Sequence, residues 1–95
     1  MSLQSNTTTL GNTAFARCGH PTQMLFRLSA DVPLTDALEH ASNLLSCATR
    51  MSLLATHGDA AEDCAMAAHY LSEMSKAVID DVTIALLKSE AGHDQ

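Results

Sequence analysis

Residues 61–87 read AEDCAMAAHYLSEMSKAVIDDVTIALL, without a glycine or a proline. Ala, Leu and Met dominate the run, and an uninterrupted stretch of good helix formers this long specifies a helix. Asp59, with Glu62 three residues on, has the capping-box spacing that marks a helix start. Gly92 marks the stop, with Lys88 in the last turn, where a cation suits the helix dipole. The expected helix covers residues 59–88.

This helix has more than one apolar row. Cys64, Ala67, Ala68, Leu71, Met74, Val78, Val82, Ala85 and Leu86 recur at steps of three and four and form one face. Met66, Tyr70, Ala77 and Ile84 make a second, sparser row. Glu62, His69, Ser72, Glu73, Lys76, Asp80 and Thr83 occupy the remainder. Two apolar rows predict cover from two sides, within the chain or between chains.

Upstream, Leu34, Ala37, Leu38, Ala41, Leu44, Leu45, Ala48, Met51 and Leu54 or Ala55 repeat close to a heptad. They predict a first helix over residues 34–57, opened by Pro33 or its neighbour, with Asp36 and Glu39 in its early turns. Thr56-His57-Gly58-Asp59 breaks the pattern. Gly58 closes the first helix and Asp59 caps the second, so the pair forms an antiparallel αα-hairpin. At about 1.5 Å per residue the helices span roughly 35 and 45–50 Å, and the second overhangs the first. Its far end, Val82 to Leu87, then needs a cover: the segment 24–28 or a second subunit. A symmetric dimer, a four-helix arrangement, uses both apolar rows at once.

Residues 1–23 are polar, rich in Thr, Ser, Asn and Gly, and carry no period of either kind. They read as a flexible N-terminal arm, or as a segment that orders on a partner. Residues 24–90 form the helical hairpin domain. At its start MLFRL, Met24 to Leu28, alternates as a half-buried strand does. A lone strand must pair with another subunit or with a partner's sheet edge. The other reading is an extended leader that tucks Phe26 against the helices. Ser29 to Pro33 is a connector. The expected fold class is therefore all-α, with a disordered arm and a short extended leader.

Ninety-five residues with 46% hydrophobic content but only 3% aromatic build a thin core. Chains of this kind gain burial by oligomerising. A net charge of −6, with five Lys and Arg scattered along the chain, argues against nucleic acid or an anionic membrane as partner. Neither a signal-peptide pattern nor an apolar run long enough to span a bilayer is visible. The three cysteines, Cys18, Cys47 and Cys64, form no spaced motif. A cytoplasmic protein with reduced thiols is expected.

Residues that carry chemistry are scarce. Cys18-Gly19-His20 is at most half of a zinc site, and His57, Cys64 and His69 do not share one face. Cys47 and Cys64 read as small buried hydrophobes. Asp80 and Asp81 diverge by about 100° on a helix and do not share a proton-transfer task. Phosphate loops and nucleophilic triads are absent from the sequence. It therefore predicts no enzyme, no metal and no cofactor.

The segments VPLTDALEHASNLLSCA and AAHYLSEMSKAVIDDV resemble small bacterial proteins of the domain of unknown function 3077 family. The resemblance covers residues 25–87 and leaves out the arm. It implies a helical dimer acting as a quorum-sensing anti-activator. Such a protein binds the ligand-binding domain of a LuxR-type transcription factor and blocks its dimerisation and its DNA binding. The alternative is a structural or accessory dimerisation module; a metal or ligand sensor is a third class. Residues proposed for protein binding are those the hairpin needs least: Phe26 and Leu28 on the leader, and Met66, Tyr70 and Ile84 on the second row.

Overall fold

The computed structural model describes residues 7–19, 23–56 and 58–93, with no account of the side chains of residues 92 and 93. Four elements follow in order: β1 (Ala14–Arg17), β2 (Met24–Arg27), α1 (Leu34–Leu54) and α2 (Ala61–His93). The fold is mostly helical, with a small antiparallel two-stranded sheet.

α1 starts where the proline predicts. Pro33 is its N-cap with extended backbone, and the Ala37 amide donates to the Pro33 carbonyl at 3.0 Å. The helix has 21 residues and ends at Leu54, three residues earlier than expected. Its last turn closes through bonds from the Ala55 amide to Met51 and from the Thr56 amide and hydroxyl to Leu53. Gly58 turns the chain at φ +94°, a backbone state that costs glycine nothing. α2 begins at Ala61, and the first bond runs from the Cys64 amide to the Ala60 carbonyl. Asp59 therefore lies one residue before the cap position. Glu62 and Asp63 still place charge in the first turn. With 33 residues α2 runs five further than expected, to one residue past Gly92. His57 lies outside the described residues.

The two helices pack antiparallel along heptad seams. Leu34, Ala37, Ala41 and Ala48 are buried on α1; Ala68, Ser75, Val78, Val82 and Ala85 are buried on α2. Alanine leaves little side chain between the backbones, so the helices approach closely. Ser75 sits fully inside this seam and donates its hydroxyl to the Ala41 carbonyl at 3.0 Å. The expected α1 seam is narrower than its apolar content: Leu38 and Leu45 are exposed, although both were counted in it. Cys47 is likewise exposed and Cys64 half-buried, against the expectation that both are buried.

The far end of α2 is covered by its own chain. Val82 and Ala85 join Leu34, Ala37, Ala41 and Val78 in one cluster, flanked by Leu10, Leu28, Val32 and Leu86. Ile84 and Leu87 stay exposed. The cover thus comes from α1, the arm (Leu10), the connector (Val32) and Leu28, the last residue of the 24–28 segment.

The strand expected over Met24–Leu28 forms at Met24–Arg27, but the source of its ladder differs. β2 pairs with β1 of the same chain, with Ala14 opposite Arg27, Phe15 opposite Phe26 and Arg17 opposite Met24. Residues 7–19 are thus ordered against the fold, where a disordered arm was expected. Composition could not show this, because the ordering forces are hydrogen bonds to distant residues. Thr9 donates its hydroxyl to the Ser29 carbonyl and accepts from the Val32 amide; its backbone bonds Val32 and Asp31. Residues 1–6 and 20–22, also read as arm, lie outside the described residues.

Candidate functional site

The arm is held by one side chain of α2. Asp81 is fully buried, and its carboxylate accepts from four successive amides. Leu10 (2.6 Å) and Gly11 (3.3 Å) donate to Oδ2; Asn12 (3.1 Å) and Thr13 (3.2 Å) donate to Oδ1. The Thr13 hydroxyl adds a fifth bond to Oδ1 at 3.1 Å. Gly11 makes this wrap possible with φ +77°, and a Cβ there would come within 2.9 Å of the Ala30 nitrogen and Cβ. Burial pushes the Asp81 carboxyl upward, but the amides and the hydroxyl outweigh it. The group is held below its ordinary value of 3.8. Asp80 faces elsewhere and pairs with Lys76 at 2.7 Å, which matches the expected divergence of the two carboxylates.

Fixed in this way, the sheet stands beside α2 and encloses an open cleft of about 660 Å³. Phe15, Ala16, Leu25 and Phe26 line it from the sheet; Tyr70 and Met74 line it from α2. Arg17, Cys18, His69 and Glu73 supply its polar groups. The Phe15 and Phe26 rings stack with centroids 5.4 Å apart, and His69 meets Tyr70 edge-on at 5.7 Å. His69 Nε2 lies 3.3 Å from Glu73 Oε1. Ala16 takes the left-handed φ of +63°, where an L side chain is strained. An open, largely apolar cleft with two half-exposed aromatic rings suits a side chain of another protein better than chemistry on a small molecule.

The five proposed binding residues do not form one patch. Phe26 and Tyr70 both line the cleft, one from the sheet and one from α2. Met66 is exposed one turn before Tyr70 on α2, outside the cleft lining. Ile84 is exposed about four turns beyond Tyr70, toward the other end of the helix. Leu28 is half-buried against the core cluster, so the fold does need it. Sequence reasoning missed Phe15, Leu25 and Met74. Phe15 is one of only two phenylalanines and alternates with small residues in AFAR, which was the available signal.

Among the described residues no three His, Cys, Asp or Glu side chains cluster as a metal site, and His20 lies outside them. No helix among the described residues is long and apolar enough to cross a membrane. Neither curated proteins nor solved structures give a match. The family model described as Protein of unknown function (DUF3077) matches residues 9–85. That range takes in Thr9, the Leu10–Thr13 wrap, the sheet and Asp81, so it includes the part of the arm that the resemblance omitted. The chain belongs to this family of proteins of unknown function, DUF3077.

Proposed function

We propose that the chain is a non-enzymatic regulator that binds another protein through the cleft between the sheet and α2. The observation that carries this is the cleft itself, where Phe26 and Tyr70 stand half-exposed on the sheet and on α2, two elements that the Asp81 anchor holds together. A mostly apolar lining with a few charged groups is how a protein-binding patch discriminates partners. Within its family the chain resembles the quorum-sensing anti-activator QslA. The partner implied is the ligand-binding domain of a LuxR-type transcription factor, held away from its own dimer partner and from DNA. Leu38 and Leu45, exposed one heptad apart on α1, offer a separate surface for a homodimer. The accessory-module reading keeps that dimer and drops the partner.

Replacing Tyr70 by Glu tests the assignment. Loss of receptor binding with the oligomeric state unchanged in light scattering supports the cleft. Collapse of the oligomer with Tyr70→Glu would place the cleft in the self-interface. A gel shift tests the broader reading: saturating protein is expected to abolish the receptor–promoter complex, and an untouched complex rejects the anti-activator function.

A further inference from the structure

We propose that Asp81 is a switchable anchor: its charge alone keeps the two-stranded sheet on the helices, and neutralising it releases the sheet from a helical hairpin that stays folded.

Three observations carry this. First, the carboxylate is the common acceptor of four successive amides and one hydroxyl, all within 3.3 Å. Charge-assisted bonds of this kind are stronger than neutral ones, and part-buried amides deprived of their acceptor carry a cost. Second, the sheet has little other purchase. β2 is exposed along its whole length and β1 is only half-buried, so little apolar area holds the strands down. A two-stranded sheet is also marginal without a surface to lie on. Third, the helical seam is made by Leu34, the alanines, Val78 and Val82, with the Ser75–Ala41 bond, and does not depend on the strands. Leu10, Leu28 and Val32 do flank the core, but at the stem that Thr9 ties together, below the strands.

The site behaves as a single carboxylate. Charged residues on the surrounding elements include Glu73, Lys76, Asp80 and Lys88 on α2, Arg17 on β1, Arg27 on β2, Asp31 in the connector and Asp36 and Glu39 on α1. Lys76 and Asp80 pair with each other, and the bonds to Asp81 come from Leu10–Thr13 and from none of these. Neutralising Asp81 therefore removes the one charge the amides face, and Asn in its place turns a donor toward them. The inference is independent of any partner, although release of the sheet also dismantles the cleft.

Amide hydrogen exchange on the full chain, wild type against Asp81→Asn, reads the outcome residue by residue. The amides of Leu10–Thr13 and of both strands are expected to exchange more than about tenfold faster, with those of the seam, such as Ala41 and Val78, unchanged. Unchanged strand protection would overturn the proposal, because apolar contact then suffices. Loss of seam protection together with the strands would also overturn it, because sheet and helices then form one unit. If Asp81→Asn does not fold, Gly11→Ala decides. It breaks the wrap from the arm's side and is expected to free the strands while sparing the seam; any other pattern in that variant rejects the anchor.

Discussion

Between α1 and α2 the chain buries alanines, a leucine and valines; between α2 and the arm that leads into the sheet it buries a carboxylate. The seam is periodic, and its stability is spread over many small side chains. The junction is concentrated, with five hydrogen bonds converging on two oxygens. A spread-out interface weakens gradually under substitution. A concentrated one fails at a single position, and it responds to pH.

The largest effect belongs to the seam. Leu34 is the one large side chain fully within its core, so Leu34→Ala is expected to cost about 3 kcal/mol and lower the denaturation midpoint of the whole domain. Leu44 and Leu71 are half-buried, and the same truncation there should cost about half as much. A midpoint unmoved by all three breaks the picture of a distributed seam.

Acid attacks the junction instead. The Asp81 carboxyl is held below 3.8, so the folded form resists protonation more than the unfolded chain does. Its contribution is complete above the unfolded value and declines as pH falls through the lowered folded value. Strand and Leu10–Thr13 amide signals in NMR spectra should be constant from about pH 7 to 5 and move below about pH 4, ahead of the seam. A uniform acid transition of all amides would erase the distinction between the two regions.

Ser75→Ala sharpens it from the seam side. The hydroxyl bonds a carbonyl that already serves the helix, so its loss is expected to cost about 1 kcal/mol without local release of any element. Denaturant titration measures it. The smallest stability effect is expected at the exposed Leu45, where Leu45→Lys should change unfolding by no more than about 0.5 kcal/mol. If α1 is the self-interface, light scattering should nevertheless report a fall in mass; an unchanged mass moves the dimer elsewhere.

The helices, their antiparallel order and the turn at Gly58 were legible because helix period, proline and glycine act over a few residues. The strand at Met24 was legible by alternation, though not its partner. Asp81 shows why reading stopped there. Its neighbours three and four residues away, Ala77, Val78, Ile84 and Ala85, are apolar where Asp80 has Lys76 and Thr83, so the helix period puts Asp81 on the packed face, but it does not name the amides that the carboxylate receives. Ser75, which bonds the Ala41 carbonyl, belongs to none of the rows read from the sequence. The cleft went unseen because two of its walls, Phe15 and Leu25, lie on a sheet whose first strand had no period long enough to detect.

Local sequence thus determined two amphipathic helices joined by a glycine turn, since each needs only neighbours three or four residues away. Tertiary structure decided the rest: which helix positions are buried, that residues 14–17 form a strand, and that an arm joins the fold. The deciding bonds span some 70 residues, from Leu10 to Asp81. Hydrogen-bond partners that far apart cannot be matched from either segment, because the amides belong to the backbone and a carboxylate on an apolar helix face does not name its donors.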